Sequence, residues 1–333
     1  MSDCITARID PTRNAESRRS LRVVLAAPRG FCAGVRRAIA TVEDALDHYG
    51  PPIYVRRAIV HNLTVVRSLE ERGAVFIREL EEAPEDAVVI LSAHGVALSV
   101  RADAERRGLR YIDAVCPLVA KVHREVTRHH GAGRHVVLIG HAGHPEIEGT
   151  LGQVPREAAT VVSSADEVAA LNLPPDADLA YATQTTYSVD EAAEVIAALR
   201  ERFPRIAAPS GSDICYATTN RQSAVRQMAL EVDAIIVAGE TFSSNACRLA
   251  EVAKACGCPS VQLVAQWSQI DWTVLEECES LGITAAASTP ELTVADILDR
   301  LNERFDVVIE QLGDPDENAV FKPVRMDDHA PAA

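Results

Sequence analysis

The sequence predicts an α/β protein made of three similar modules, each with a mainly parallel sheet, that face one central cavity. Apolar strand-like runs alternate with helical patterns along the whole chain, which is typical of parallel sheets connected by helices. One cysteine and two polar turns also recur three times at nearly constant spacing. Because ligands bind at the carboxyl ends of strands in open α/β sheets, three such modules would direct these groups to one place.

The alternation defines ten strand candidates and six helix candidates. The strand candidates are RVVLAA, PIYVR, AVVILSA, RYIDAV, HVVLIG, ATVVSS, LAYAT, AIIVAG, PSVQLVA and GITAAA. The helix candidates are VRRAIATVEDALDHY, LTVVRSLEERG, SVRADAERRG, SVDEAAEVIAALRERF, NRQSAVRQMALEV and ACRLAEVAKACG. This order predicts modules at residues 21–113, 114–209 and 210–312.

Both ends of the chain lack this alternation. Residues 1–20 are expected to form a flexible lead-in, and residues 313–333 a flexible tail rich in Pro, Asp and Ala. The lead-in lacks the apolar core of a secretory signal. No apolar run reaches the ~18 residues that a membrane-spanning helix needs. We therefore expect a cytoplasmic protein with no membrane partner.

Charge and cysteine content narrow the function further. The net charge of −15 argues against binding of nucleic acid, because non-specific binding requires a basic face. The chain has eight cysteines. In an acidic chain of this size they are expected to be reduced thiols or metal ligands rather than a disulfide framework.

Three of the cysteines, Cys32, Cys116 and Cys215, lie in similar contexts, each just before a helical segment. A single cysteine is more often a small buried apolar residue, but three in matched positions favour a shared role. A polar turn follows each of them by 28 or 29 residues, at His61, His144 and Ser244, and a further polar turn contributes His94, Thr185 or Ser288.

Three converging thiolates suggest a metal centre. Structural zinc is usually bound by closely paired cysteines, whereas these are 84 and 99 residues apart. One ligand per module fits a larger iron–sulfur cluster on a pseudo-threefold axis. Since a cubane usually takes four cysteines, three would leave one iron open to bind substrate as a Lewis acid.

The other cysteines have weaker claims to such a role. Cys256 and Cys258 form a C-x-C pair at a helix end and are interpreted as structural thiols. Cys278 is expected in an amphipathic helix as a core residue. Cys4 lies in the lead-in, and the context of Cys247 is too short to assign.

The polar turns offer hydrogen-bond donors at strand ends and helix N-termini, which favours a phosphate or diphosphate ligand. Single Ser, Thr or Asn residues are also ordinary helix caps, but three histidines are less easily explained in that way. A Walker A loop and a GxGxxG sequence are absent, which disfavours an NTPase or a nicotinamide-dependent enzyme. The turn residues are His61, Asn62, His94, Gly95, His144, Gln184, Thr185, Thr186, Ser243, Ser244, Asn245 and Ser288.

One carboxylate stands out among these turns. Glu146 lies two residues after His144, where a raised pKa would let it deliver a proton. Glu148 is a second candidate of the same kind. The alternative for both is an ordinary carboxylate at a helix N-terminus, where it favours the helix dipole.

These stretches resemble the IspH/LytB family of 4-hydroxy-3-methylbut-2-enyl diphosphate reductases. They occur in family order from about residue 22 to about residue 301, which is nearly the whole folded part of the chain. The matching stretches are RGFCAGVRRAI, IVHNLTVV, SAHGV, DAVCPLVAKVH, IGHAGHPEIEGTLGQ, TQTTYSVDE, DICYATTNRQ, SSNACRL and GITAAASTPE.

The resemblance implies a trefoil of three α/β domains around a 4Fe–4S cluster held by Cys32, Cys116 and Cys215. It implies reductive removal of the allylic hydroxyl to give isopentenyl and dimethylallyl diphosphates in the non-mevalonate route. Glu146 would deliver a proton and Thr185 would orient the hydroxyl. The diphosphate would be held by His61, His94, His144, Thr218, Ser243, Ser244, Asn245 and Ser288.

The resemblance also implies a reduced ferredoxin or flavodoxin as electron donor. Such donors are usually acidic, as this chain is, so docking is expected at a local basic patch. The candidate residues are Arg36, Arg37, Arg56 and Arg57.

Some residues depart from the family pattern, and other functions therefore compete. Alternatives to the reductase are a divergent paralogue acting on another allylic diphosphate, a noncatalytic iron–sulfur sensor and a zinc-dependent phosphate-ester hydrolase. Retention of Glu146 and Thr185 argues against a sensor, which needs only the cysteines. The departures are Glu240, Phe242, Ala246 and Cys247 around the SSN turn, and Ala286, which is expected to stiffen its turn.

Overall fold

The computed structural model describes residues 18–326 of the 333-residue chain. Its strands form three separate sheets, and every strand pair in them is parallel. Helices follow most of the strands along the chain. The prediction of three α/β units with parallel sheets is therefore confirmed.

The sheets contain five, four and three strands. The five-stranded sheet has the order β10-β9-β11-β1-β12 and comprises β1 (Ser20–Ala26), β9 (Ala234–Ala238), β10 (Ser260–Val264), β11 (Ser280–Ala285) and β12 (Asp306–Leu312). The four-stranded sheet has the order β3-β2-β4-β5 and comprises β2 (Ile53–Arg56), β3 (Ala74–Ile77), β4 (Val88–Leu91) and β5 (Arg110–Asp113). The three-stranded sheet has the order β7-β6-β8 and comprises β6 (His135–Ile139), β7 (Ala159–Val162) and β8 (Leu179–Thr183).

The helices range from one turn to five turns. They are α1 (Ala33–Tyr49), α2 (Leu63–Glu71), α3 (Leu98–Arg106), α4 (Pro117–Gly131), α5 (Pro145–Leu151), α6 (Ala165–Ala169), α7 (Val189–Arg202), α8 (Tyr216–Ala229), α9 (Ser244–Ala255), α10 (Trp272–Leu275) and α11 (Glu291–Arg304). No helix within residues 18–326 is both long and apolar enough to cross a membrane.

The first strand of the chain completes the last sheet. β1 lies between β11 and β12, with Val24 in register with Gly282 on one side and Glu310 on the other. The range predicted for the first module, 21–113, therefore includes a strand from a different sheet than its other strands. The pairing of β1 with β11 and β12 therefore links the first described strand to the last two strands.

The apolar runs are continuous because both faces of the large sheet are covered. Along β1, Leu21, Val23 and Leu25 pack into one buried cluster, whereas Val24 and Ala26 pack into a second cluster on the opposite face. This alternation follows from the two-residue period of a strand. The buried sheets hold the strand ends rigidly, and the loops that leave those ends form the site described below.

Several local predictions differ from the structure, and none of the six predicted helix sequences covers α4, α5, α6, α10 or α11. Strands β3 and β12 are absent from the predicted set; most β12 residues are exposed, so apolar content gives little signal there. The apolar segment before His61 is a buried loop rather than a strand, with Ile59 and Val60 packed in a core cluster. Cys278 is a buried core residue as predicted, but it follows the four-residue α10 instead of lying within a helix.

The two chain ends are described in part. Arg19 donates to the carbonyl of Leu275 at 2.6 Å, whereas Cys4 and the rest of the lead-in before residue 18 lie outside the described residues. Residues 313–326, here called the C-terminal strap, have no regular secondary structure. They make specific contacts, including an ion pair between Glu317 and Arg221. The flexible tail expected for residues 313–333 stays a prediction.

Candidate active site

Each of the three matched cysteines is the N-cap of a helix. Cys32 caps α1, Cys116 caps α4 and Cys215 caps α8. The sulfur of Cys32 accepts from the amide of Val35 at 3.4 Å, and that of Cys215 accepts from the amide of Thr218 at 3.4 Å. Each sulfur thus lies at the positive end of a helix dipole.

The three sulfur atoms face one cavity of about 720 Å³, which includes its opening to solvent. Gly34 lies next to two of these sulfur atoms. A Cβ at this position would lie 2.8 Å from the sulfur of Cys116 and 3.7 Å from that of Cys32, so glycine leaves space between them. Among residues 18–326, no three His, Cys, Asp or Glu side chains are grouped closely enough to hold one metal ion.

Burial keeps the thiols of Cys116 and Cys215 protonated. It raises the pKa of Cys116 to about 12 and that of Cys215 to about 11, and in both cases hydrogen bonds to the sulfur offset only part of the effect. A metal group that binds thiolates must release these protons, so its binding depends on pH. The predicted ligand residues thus have the access and the chemistry for a metal–thiolate centre.

Glu146 and Thr185 form a buried pair on the wall of the same cavity. Glu146 lies in the first turn of α5, and its side chain is fully withdrawn from bulk solvent. Its Oε1 accepts from the amide of Thr185 at 2.6 Å, and its Oε2 accepts from the Thr185 hydroxyl at 2.9 Å. Burial raises the pKa of Glu146 to about 7 against these two hydrogen bonds, with a smaller contribution from Asp213. Glu148, by contrast, is exposed and pairs with Arg57 at 2.6 Å.

Three histidines form a compact cluster at another wall. The rings of His61 and His94 are stacked with centroids 4.2 Å apart, and His144 is 5.4 Å from His61 and 6.0 Å from His94. Nδ1 of His144 accepts from the amide of Glu146 at 3.1 Å, which places the proton of a neutral His144 ring on Nε2.

The histidine cluster is neutral at physiological pH. Burial lowers the pKa of His61 to about 4, and burial with smaller contributions from His61 and His141 lowers the pKa of His144 to about 3. Burial, together with the two other histidines and Arg57, lowers the pKa of His94 well below its usual range. Three such rings would gain positive charge when an anion binds beside them.

The N-terminus of α9 completes the cavity with uncharged donors. Ser243 is the N-cap, and its hydroxyl lies 3.4 Å from that of Ser288. The Asn245 Oδ1 accepts from the amide of Ala287 at 2.9 Å, while its buried Nδ2 has no partner among the described residues. The Ser244 hydroxyl lies 3.2 Å from that of Thr186. An unpaired buried donor at a helix N-terminus is a suitable site for an anion.

The thirteen residues that the family resemblance assigns to the site all line this one cavity, and one of them, Thr218, lies beside a thiol. Its hydroxyl is 3.2 Å from the Cys215 sulfur, so it contacts the predicted metal ligand directly. The lining set comprises Cys32, His61, His94, Cys116, His144, Glu146, Thr185, Cys215, Thr218, Ser243, Ser244, Asn245 and Ser288.

Other turn residues support the site from behind. Asn62 caps α2 through the amide of Val65 at 3.0 Å, and the Gln184 Oε1 accepts from the amide of His141 at 3.0 Å. One contact is absent from the sequence prediction: the Tyr216 hydroxyl accepts from the amide of Ala33 at 3.1 Å and so joins two cysteine loops. The sequence feature that could have indicated a role for Tyr216 is its position directly after Cys215.

The departures from the family pattern are accommodated locally. Ala246 and Ala286 are both fully buried, and they fit because residue 239 is glycine: a Cβ there would lie 2.7 Å and 3.2 Å from their methyl groups. Ala286 donates its amide to Ala238 at 2.9 Å in an ordinary turn. Phe242 is half exposed, and its ring lies 5.9 Å from that of the cavity residue His61.

Three α/β units with parallel sheets surround a cavity lined by thiols, a buried acid and uncharged hydrogen-bond donors, which is the arrangement of an enzyme that acts on an anionic substrate. The family profile described as "LytB protein" matches residues 23–302. Together with the relatives below, this match shows that the chain belongs to the LytB family.

Curated relatives and solved structures are similar over nearly the whole chain. A Gluconobacter oxydans protein named 4-hydroxy-3-methylbut-2-enyl diphosphate reductase is 50% identical over 97% of both chains. A Cereibacter sphaeroides protein of the same name is 51% identical over 92% of this chain and 96% of its own. The structure of the Plasmodium falciparum E-1-hydroxy-2-methyl-but-2-enyl-4-diphosphate reductase superposes with a TM-score of 0.85 at 35% identity, covering 92% of this chain and 95% of its own.

Proposed function

We propose that this chain is a 4-hydroxy-3-methylbut-2-enyl diphosphate reductase that makes isopentenyl and dimethylallyl diphosphates by removing the allylic hydroxyl. The reaction consumes two electrons and two protons, breaks the carbon–oxygen bond and releases water. The observation that carries the proposal is the convergence of three thiols, a buried acid–threonine pair and an anion-binding wall on one cavity. Relatives about 50% identical over nearly the whole chain bear this enzyme's name.

Cys32, Cys116 and Cys215 would hold a 4Fe–4S cluster. Their fit rests on one thiol at the N-terminus of each of three helices and on the gap that Gly34 leaves between two of the sulfur atoms. With three thiolate ligands one iron would keep an open position, and the cluster would supply a Lewis-acid site there and pass electrons one at a time. Tyr216 and the helix N-termini hold the cysteine loops in place.

The wall with the histidines and α9 would bind the diphosphate. The His144 Nε2–H, the free Nδ2 of Asn245 and the hydroxyls of Ser243 and Ser288 are hydrogen-bond donors for phosphate oxygens. None of these groups carries a charge before substrate binds, and we expect a bound anion to raise the pKa values of the three histidines. With the diphosphate bound at this wall, the hydroxyl end of the C5 chain would point to the thiols that line the same cavity.

Glu146 would then act as the proton donor. With a pKa of about 7, a large fraction of the carboxyl groups is protonated at neutral pH. Thr185 fixes the carboxyl group through two hydrogen bonds and presents its hydroxyl beside it. The substrate hydroxyl takes a proton from this pair and leaves as water.

The electron donor would be a reduced ferredoxin or flavodoxin, and the chain would act in the cytoplasm. Of the four arginines predicted as a docking patch, Arg56 is buried against Glu79 at 2.6 Å and Arg57 pairs with Glu148. Arg37 donates to backbone carbonyls. Arg36 is exposed on the first turn of α1 beside Cys32, where it donates to the carbonyl of Phe31, and it is the remaining candidate of that set.

An anaerobic comparison of Glu146→Gln with Glu148→Gln tests the proposal. Both changes remove a carboxylate from α5, but only the first lies in the cavity. We expect Glu146→Gln to keep its iron and sulfide and to lose turnover of the hydroxylated diphosphate by about 100-fold or more. Glu148→Gln should retain turnover. Near-normal activity of Glu146→Gln would remove this residue from the proton path.

A further inference from the structure

Arg221 connects two of the cysteine loops from inside the protein. Its side chain is fully buried in α8. One guanidinium nitrogen donates to the carbonyl of Gly30 at 2.7 Å, and the other donates to the carbonyl of Ala217 at 3.0 Å. Gly30 lies two residues before Cys32, and Ala217 lies two residues after Cys215. One planar cation therefore fixes the separation of two backbone segments that carry thiols.

The C-terminal strap supplies the counter-charge for this arginine. The Glu317 carboxylate accepts from both terminal nitrogens of Arg221, at 2.9 and 3.0 Å, and from the Asn220 amide at 3.3 Å. Only 8% of the Glu317 side chain is exposed. A buried guanidinium without a counter-ion is strongly unfavourable, so the position of Arg221 depends on a residue nearly one hundred places further along the chain.

A second arginine connects the strap to the third cysteine loop. Arg37, in α1, donates to the carbonyl of Lys322 in the strap at 2.9 Å. The same guanidinium donates to the carbonyl of Val115 at 3.0 Å. Val115 directly precedes Cys116. Each of the three thiol-bearing loops is thus joined to the strap through one arginine.

The strap is anchored at both ends, so it can act as a fixed support. Gly313 turns tightly against β1, where a Cβ would lie 2.3 Å from the carbonyl oxygen of Ala27. At the other end, the Tyr49 hydroxyl donates to the carbonyl of Met326 at 2.5 Å. Between these points the chain crosses the N-terminal half of α1 and the side of α8.

We propose that the strap, through Glu317 and Arg37, sets the relative positions of the three cysteine loops and thereby controls how firmly the 4Fe–4S cluster is held. Both are positioning residues: they touch no sulfur and act through Arg221, Gly30 and Val115. This inference rests on the proposed function, since it requires that the three thiols share one cluster. Partners behind the ligands commonly change metal affinity 10- to 100-fold when removed.

The experiment compares four variants after anaerobic reconstitution. Glu317→Gln and Arg37→Met break the two links. The other two variants are controls. Glu310→Gln, on β12, breaks an exposed ion pair with Arg22. Arg72→Met breaks exposed ion pairs with Glu43 and Asp47, which lie toward the other end of α1. The readouts are iron and sulfide per chain, the rate of cluster loss to an iron chelator and the EPR spectrum of the reduced cluster. Thermal unfolding of each apo-protein is measured alongside.

We expect Glu317→Gln and Arg37→Met to lose the cluster about tenfold faster than wild type and to show an altered EPR spectrum. The two control variants should match wild type. Arg37 is partly exposed, so Arg37→Met keeps the test decisive even where Glu317→Gln fails to fold. The proposal is overturned by unchanged cluster lifetimes and spectra in the link variants, or by equally fast loss in the controls. A wild-type chain that takes up no cluster overturns the proposed function as well.

Discussion

Thr185 donates both of its polar hydrogens to the carboxylate of Glu146, at 2.6 Å from the amide and 2.9 Å from the hydroxyl. These bonds favour the ionised form, yet burial outweighs them and raises the pKa of Glu146 to about 7. A carboxyl group held in one orientation and half protonated at neutral pH is well suited to general-acid catalysis.

The first prediction concerns the pH profile. Because the protonated form is the active one, kcat/KM at saturating reductant should be level below pH 7 and fall about tenfold per unit above it. Measurement with a chemical one-electron donor between pH 6 and 9 checks this. A profile that stays level through pH 9 would contradict the assignment of Glu146 as the acid.

The same shift affects stability. A carboxyl group whose pKa is higher in the folded protein than in the unfolded chain stabilises the fold below about pH 4.5, and this contribution is lost as pH rises to about 7. The unfolding temperature of Glu146→Gln should therefore depend less on pH in this window than that of wild type. Equal slopes for the two proteins would count against the raised pKa.

The second prediction concerns the gap between thiols. In Gly34→Ala the new methyl group would lie 2.8 Å from the Cys116 sulfur, so we expect reduced iron and sulfide after reconstitution. The apo-protein should stay folded, because alanine favours a helix over glycine by ~1 kcal/mol. Gly131→Ala, where the methyl group meets open space at the end of α4, is the matched control. Full cluster loading of Gly34→Ala would show that the gap has no role.

The third prediction concerns substrate affinity. Asn245→Asp keeps the acceptor for the amide of Ala287 but replaces the free Nδ2 donor with a second carboxylate oxygen. Repulsion of the diphosphate and loss of a charged hydrogen bond should raise KM about 10- to 100-fold with a smaller change in kcat. Steady-state kinetics distinguish this from a catalytic role, in which kcat would fall and KM would stay constant.

The fourth prediction uses the neutral histidine cluster. An anion beside His61, His94 and His144 raises pKa values that burial has lowered, so binding should take up protons. The affinity for inorganic pyrophosphate should rise from pH 8 to pH 6. Calorimetry in two buffers of different ionisation enthalpy measures the uptake directly, with His130→Asn, on the far end of α4, as control. Binding without proton uptake would contradict this account.

The fifth prediction concerns the electron donor. Arg36→Glu places a negative charge on the exposed first turn of α1. Turnover driven by reduced flavodoxin should drop about tenfold at low salt, whereas turnover driven by reduced methyl viologen should not change. A similar drop with both donors would point to damage at the cluster, and no drop with either would place docking elsewhere.

The sequence predicts the cavity well because its groups sit at repeated positions. Loops at the carboxyl ends of parallel strands lie at the same edge of a sheet. The repeated positions of Cys32, Cys116 and Cys215 therefore predict that they line one cavity. The same local logic identified Glu146, since the turn that bears it also bears His144. Its raised pKa comes from burial in the folded state, which spacing alone does not give.

Long-range contacts could not be predicted in this way. The pairing of β1 with β11 and β12 joins segments more than 250 residues apart, and no local pattern reports it. Glu317 lies in a polar, proline-containing segment that is typical of a flexible tail, and only its contact with Arg221 reveals a fixed strap. In the sequence Arg37 is indistinguishable from a solvent-exposed arginine, whereas in the structure it donates to the carbonyls of Lys322 and Val115. The predicted boundaries at 113/114 and 209/210 stay predictions.

The most direct test is one anaerobic measurement on the reconstituted wild-type chain. Iron and sulfide are counted, and the same sample is given 4-hydroxy-3-methylbut-2-enyl diphosphate with reduced methyl viologen. The account predicts four irons and four sulfides per chain at full loading, together with isopentenyl and dimethylallyl diphosphates as products. A chain that binds the cluster but leaves the substrate unchanged, or one that forms no cluster on its three thiols, would contradict it.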